Sequence, residues 1–302
     1  MVSDFQTIID DKKSGSGAIL KKTIRAVIQW IDKEKPDKEQ FIRQIVSFYY
    51  QIPYFAVIFH FINQVLLIAE EANFSHDKIL QFIQKYQQKW KNIHNDIYDS
   101  LIKHANPHKK TILLHSNSST ISAVFAKLAK DKIKPVIYQT LSAPGNEGRI
   151  QAKILAETGM KVFIITEASA AKFMDRTEMI FLGADIILPD HFINKTGSYY
   201  LTLLSREFQK KLYVLADSRK YIDKNFLPEK IVSSLMHEDL QPSDEIWKNP
   251  PHQITPLNYY FEPTPLSAVQ GIISEKGLLK NRELKKKSAT MKLAESLKNP
   301  KI

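Results

Sequence analysis

An α/β fold is predicted for this chain: a helical N-terminal region, then a parallel sheet with helices on both faces. Three observations predict it. Apolar residues in the first third recur at helical spacing, short apolar runs replace them from Thr111 onward, and helical segments separate those runs. Strands that are apolar at nearly every position and joined by crossover helices indicate a parallel sheet covered on both sides.

Taken in order, "SGSG" at residues 14–17 interrupts the chain, and Ile19, Leu20, Ile24, Val27 and Ile28 then form a helical stripe that Pro36 ends. Asp37 is placed to cap the next helix. Residues 52–69 have the length and apolarity of a membrane span. His60, Asn63 and Gln64 in the middle would be costly in hydrocarbon, so the stretch reads as a buried core helix and no membrane partner is expected. Ile79, Ile83, Tyr86, Trp90, Ile93, Ile97 and Leu101 run at intervals of four and three, which predicts one long amphipathic helix. "HANPHKK" at residues 104–110 breaks that pattern. The expected division is a helical domain over residues 1–107 and a Rossmann-like α/β domain over residues 108–302. In the second, "TILL", "PVIY", "KVFIIT", "EMIFLGAD" and "KLYVLAD" are the strands, and the intervening helices centre near Ala126, Ile154, Lys172 and Leu203.

Composition narrows the classes. A hydrophobic content of 43% supports a sizeable core, and the absence of cysteine excludes disulfides, thiolate metal ligands and a thiol nucleophile. It fits a reducing compartment, and "MVSDFQTIIDDKK" carries acidic residues where a signal peptide needs a cationic start, so a cytoplasmic protein is expected. Of the net charge of +11, much resides in residues 281–302, where seven basic side chains face two acidic ones. This reads as a solvated tail. A nucleic-acid partner acting through it is not favoured, because no aromatic residues interleave the charges.

In open parallel sheets ligands bind beyond the carboxyl ends of the strands. That edge carries His115 to Ser119, the turn "TLSAPGNEG", Glu167 to Ser169, Asp185, Asp217 and Ser218. Asn117, Ser118 and Ser119 precede a helix whose free N–H groups and dipole suit a phosphate. The five consecutive side-chain oxygens of Ser116 to Thr120 exceed what a helix cap needs. Neither a P-loop nor Gly-x-Gly-x-x-Gly is present, so a nucleoside triphosphate or dinucleotide is not favoured. No cofactor and no metal are expected. In "LGADIILPDHFINKTG", Asp185 ends an apolar strand. Asn194, Lys195, Thr196 and the N–H of Gly197 open a helix and form a second anion seat, with Asp185 available to sugar hydroxyls or a proton.

"HSNSS", "PGNEG", "LGAD", "INKTG" and "LYVLADSRKY", in this order, resemble the initiation factor 2B alpha/beta/delta family, which includes ribose-1,5-bisphosphate isomerase and methylthioribose-1-phosphate isomerase. The likeness runs from about residue 14 to residue 277. It implies a phosphorylated sugar or nucleotide as ligand and a homodimer as the assembly. The implied binding residues are Ser16, Gly17, His115, Asn117, Ser118, Ser119, Asn194, Lys195 and Gly197. The isomerases resemble one another in a His-Cys-Asn opening motif whose thiol is the acid/base beside the aspartate; Ser116 stands in its place here. A hydroxyl is a far weaker acid than a thiol, whose pKa is about 8.5. Their Glu-Thr-Arg-Pro turn corresponds to Leu141-Ser142-Ala143-Pro144, without the carboxylate and guanidinium. The resemblance therefore implies a non-catalytic or regulatory binding protein, with Ser116 inert. The alternative is an aldose–ketose isomerase on a phosphorylated ribose, using Asp185 with a replacement base such as His115.

Overall fold

The computed structural model describes residues 3–11, 14–52, 55–222, 240–280, 283 and 292–298. The helical layer comprises α1 (Ser3–Ile9), α2 (Ser16–Glu34), α3 (Lys38–Gln51), α4 (Ala56–Ala69), α5 (His76–Lys89) and α6 (Ile93–Ala105). Helix α2 stops where Lys35 turns left-handed (φ 44°) before Pro36. The Asp37 carboxylate then accepts the Gln40 N–H at 2.8 Å, a cap worth about 1 kcal/mol.

Helix α4 is the axle of this layer. Phe59, Phe61, Ile62, Val65 and Leu66 are fully buried, each stabilising by roughly 1.5–3 kcal/mol. Two of its polar residues have partners, as the core reading requires: the Asn63 amide donates to Lys292 O and accepts from Ala294 N, both at 2.9 Å, and His60 Nδ1 lies 3.1 Å from the Tyr86 hydroxyl. No described helix is long and apolar enough to cross a membrane.

The single long helix expected over residues 79–101 is instead two, broken at Trp90 to Asn92. The stripe is continuous but serves two cores. Ile79, Ile83 and Tyr86 face the helical layer, while Ile93, Ile97 and Leu101 face the sheet. A straight helix could not present one seam to both, and Trp90 packs against each at the break.

After α6 come β1 (Thr111–Leu114), α7 (Ser119–Lys130), β2 (Val136–Thr140), α8 (Gly148–Glu157), β3 (Val162–Ile165), a 3₁₀ helix over Glu167–Arg176, and β4 (Met179–Leu182). Then follow β5 (Ile186–Ile187), β6 (His191–Lys195), α9 (Ser198–Glu207), β7 (Lys211–Leu215), β8 (Phe261–Pro265), β9 (Gly271–Ser274), β10 (Gly277–Leu279) and the short helix α10 (Glu295–Lys298). The main sheet runs β10-β9-β7-β4-β1-β2-β3 and is parallel except for β10. The predicted fold class is therefore correct. The chain winds outward from β1 through β2 and β3, then returns to β4 on the other side. Order reverses between β1 and β4, the place where such sheets open a crevice.

Three details differ from expectation. The segment near Lys172 is 3₁₀ rather than α. "INK" does not open a helix: Asn194 and Lys195 end β6, which pairs along its whole length with β8, from His191 opposite Pro265 to Lys195 opposite Phe261. Backbone pairing there outweighs the local helix-start pattern. Part of the basic tail is also docked. Ala294 and Leu297 are buried, and Glu70 accepts the N–H groups of Glu295 and Ser296 at 2.9 and 2.8 Å. Lys292 and Lys298 are exposed, and Arg282, Lys285, Lys286, Lys287 and Lys301 lie outside the described residues.

Candidate functional site

A cavity of about 660 Å³ opens above the β1/β4 reversal. The end of β1 contributes Ser116 and Asn117, the turn after β2 contributes Gly145, Asn146, Glu147 and Arg149, and Asp185 follows β4. Lys195 enters from β6, Phe261 from β8, Tyr260 from just before that strand, and Ile8, Ile9, Ile19 and Phe55 from the helical layer.

The turn after β2 folds back so tightly that Gly148 is required: a Cβ there would lie 1.9 Å from Thr140 O. This closure carries Glu147 into the cavity. Its Oε1 accepts from the Ser116 hydroxyl at 3.2 Å and pairs with Lys195 Nζ at 3.1 Å. Lys195 is buried and its ammonium lies 4.6 Å from the Tyr260 ring centre, a cation–π contact. Tyr260 is fixed by hydrogen bonding to Glu245.

Asp185 lines the cavity. Burial pushes its carboxyl above the usual carboxylate range, and Glu147 adds to this; Lys220 and a hydrogen bond from the Ser16 hydroxyl oppose it. Lys220, itself buried, donates to Ala184 O beside the aspartate. The result is a sunken carboxyl biased toward its protonated form, facing a cation-held carboxylate in the same cavity.

The sequence-derived site residues divide into two groups. Ser116, Asn117, Asp185 and Lys195 line the cavity, and Ser16 reaches it through Asp185. His115, Gly17, Ser118, Ser119, Asn194 and Gly197 do not line it. His115 is fully buried: Nε2 donates to Thr196 O at 3.0 Å and Nδ1 accepts from the Thr140 hydroxyl at 2.7 Å. Burial holds its basicity below the ordinary histidine range. Both nitrogens are occupied, and the ring does not line the cavity. Gly17 packs against Ser119 where α2 meets α7, and Ser118 and Asn194 pack around Gly183. The expected anion seat at α9 is already filled, and that at α7 is partly so. Gln151 accepts the Ser118 N–H at 2.8 Å and Ser118 Oγ the Ile121 N–H at 3.4 Å. At α9 the Glu262 carboxylate takes the N–H groups of Gly197 and Tyr199 at 2.8 and 2.7 Å.

Sequence reasoning missed Glu147, Arg149, Glu245 and Tyr260. Glu147 and Arg149 stand in the quoted "PGNEG" turn and the residue after it, so a carboxylate and a guanidinium do reach the cavity from this turn, beyond the positions where the isomerase pattern has them. Tyr260 carries no local signal; only the β6–β8 ladder brings it to Lys195. Among the described residues no group of three metal-ligating side chains is found.

A parallel sheet with a charged cavity at its order reversal, roofed by a helical layer, makes this an α/β protein of the open-sheet class. The chain belongs to the initiation factor 2 subunit family, whose model matches residues 1–281. It is 28% identical over 173 residues to the ribose 1,5-bisphosphate isomerase of Methanocaldococcus jannaschii, covering 56% of this chain and 54% of that protein. It is 32% identical over 169 residues to a putative translation initiation factor eIF-2B subunit 2-like protein of Pyrococcus horikoshii, covering 56% and 57%. The chain thus spans little more than half the length of these curated relatives. Among solved structures it is similar to translation initiation factor eIF-2B of Pyrococcus horikoshii, with TM-score 0.76, 20% identity and coverage of 92% and 96%. It is also similar to 5-methylthioribose 1-phosphate isomerase of that organism, with TM-score 0.73, 21% identity and coverage of 94% and 86%. At these identities the structural likeness speaks for the fold.

Proposed function

We propose that this chain binds a phosphorylated pentose and acts on it as an aldose–ketose isomerase. The observation that carries the reading is the pairing, in one cavity, of a carboxyl biased toward protonation (Asp185) with a buried ammonium (Lys195). Lys195 and Arg149 are the cations available to a phosphate among the described lining residues. Asp185 is suited to protonate a ring oxygen as the sugar opens. The names of the relatives favour this reading too, since ribose 1,5-bisphosphate and methylthioribose 1-phosphate isomerases are among them.

The test is direct. Purified protein is incubated with ribose 1,5-bisphosphate or methylthioribose 1-phosphate, and ketose formation is followed by ¹³C NMR. Turnover of either supports the reading; a rate indistinguishable from the protein-free control rejects it. A second reading, binding of a sugar phosphate or nucleotide in a regulatory role, is favoured by the hydroxyl at Ser116 where the enzymes resemble one another in a thiol. Saturable binding without turnover would select it. Either reading includes a homodimer, supported by the exposed apolar side chains Phe163 and Ile164 of edge strand β3 and Ile150 of α8. Light scattering should report twice the 34.8 kDa of one chain; the single-chain mass at micromolar concentration would remove the dimer.

A further inference from the structure

Moving a hydrogen between neighbouring carbons of a sugar needs two proton-moving groups, and Asp185 is one. Ser116 is a poor candidate for the other, because a serine hydroxyl neither gives nor takes a proton readily near neutrality. Among the described residues, the histidine and the other carboxylates near the cavity have partners elsewhere. Both ring nitrogens of His115 are engaged, Glu245 holds Tyr260 and Asn258, Asp11 pairs with Lys22, and Glu167 accepts the Ser142 N–H behind the turn.

Glu147 remains. Its Oε1 sits 3.2 Å from the Ser116 oxygen, so the carboxylate stands within one hydrogen bond of the position the isomerases fill with sulfur. Its Oε2 lies beside Gly145, where a Cβ would come within 2.9 Å of it. Lys195 grips Oε1. A phosphate taking that ammonium loosens the grip as the sugar arrives.

We propose that Glu147 is the second proton-moving group of this centre, doing through a carboxylate what a thiol does in the isomerases. The inference rests on the isomerase reading. In a 1-phosphorylated aldofuranose, the ring C1–O4 bond breaks with its electron pair going to O4, which takes the proton of Asp185, and positive charge develops between C1 and the phosphate-bearing oxygen. Glu147 removes the C2 proton, and the C2–H electron pair becomes the C1=C2 bond of a neutral enediol phosphate. The 2-hydroxyl then returns a proton to Asp185 as C2=O forms, and C1 takes the proton held by Glu147. Both carboxyls end as they began, and the product is the 1-phosphoketose.

The test compares wild type with Glu147→Gln and with Glu147→Ala in the presence and absence of formate. Gln keeps the acceptor oxygen for Ser116 and Lys195, so KM should move by no more than a few fold while kcat falls ~10²–10⁴-fold. Formate should restore activity to the Ala variant in a concentration-dependent way, which a merely structural role would not allow. If the Ala variant does not fold, Glu147→Asp replaces it and must retain activity that the Gln variant lacks. A Gln variant within threefold of wild-type kcat, absence of formate rescue in a folded Ala variant, or an Asp variant no better than Gln overturns the role of Glu147 while leaving the isomerase reading standing. Absence of turnover by the wild type overturns both.

Discussion

Lys195 Nζ and Glu147 Oε1 lie 3.1 Å apart although they come from different sheets: Glu147 from the turn that follows β2, Lys195 from the end of β6. Lys195 is the more buried of the two, with 6% of its side chain exposed against 20% for Glu147. The pair joins the main sheet to the small antiparallel one across the cavity that both residues line.

Replacing Lys195 by Ala should weaken binding of a phosphorylated pentose by about 1.5–3 kcal/mol, the loss typical of a charge-assisted hydrogen bond. Titration calorimetry with ribose 5-phosphate measures it. Unchanged affinity would remove Lys195 from the phosphate site.

Asp185 gives a pH-dependent prediction. Its carboxyl titrates above the ordinary value of 3.8 in the folded state, chiefly through burial. The folded protein therefore holds this proton more tightly than the unfolded chain, a contribution fully present at low pH and lost as pH rises through the folded value. Asp185→Asn removes the penalty of ionising a buried group. The variant should melt above wild type at pH 7, and the gap should close as pH falls toward 4. A constant gap across that range would contradict the assignment.

The thiol exchange tests whether the cavity still positions the family chemistry. Ser116→Cys should restore turnover to a Glu147→Gln background by at least about tenfold, because the sulfur takes over the lost proton transfer. That gain should vanish again with Asp185→Asn. Continuous assay of ketose formation reads all three variants; no recovery in the double variant would mean that the position of Ser116 is out of reach of the reacting carbons.

A structural prediction concerns Asp217 and Arg219. The guanidinium binds the carboxylate through Nε at 2.8 Å and Nη2 at 3.1 Å, lies 4.7 Å from the Trp90 ring centre, and is nearly inaccessible, as is Asp217. Despite burial, this partner holds the Asp217 carboxyl below its usual range. Arg219→Met strands a buried charge and should cost about 3–5 kcal/mol in urea unfolding. Asp217→Asn in the same chain should recover part of that loss.

Much of the fold was legible because its signals are local. "TILL", "PVIY", "KVFIIT", "EMIFLGAD" and "KLYVLAD" each became a strand, and the apolar stretch with His60, Asn63 and Gln64 became α4, a helix packed in the core. Failures came where distant partners decided. The apolar stripe through Trp90 is unbroken in sequence, and only the presence of two cores forces the bend. "INKTG" looks like a helix opening until β8 pairs with it and Glu262 fills the anion seat. Of the residues that line the cavity, Asp185 and Lys195 stood out in their motifs. Glu147 did not, because its place depends on a back-folded turn that sets it against Ser116 and Lys195.

The hydrogen bonds of Asn63 carry a consequence for how this protein is made. Its amide sits at the centre of the first helical layer, yet its two partners lie 229 and 231 residues further along the chain. Domains that emerge first during synthesis generally fold first, but this layer cannot satisfy a fully buried amide until the segment carrying Lys292 and Ala294 has left the ribosome. The helical region is thus sealed by its own distant downstream sequence, and vectorial folding must leave its centre provisional until translation has passed that point.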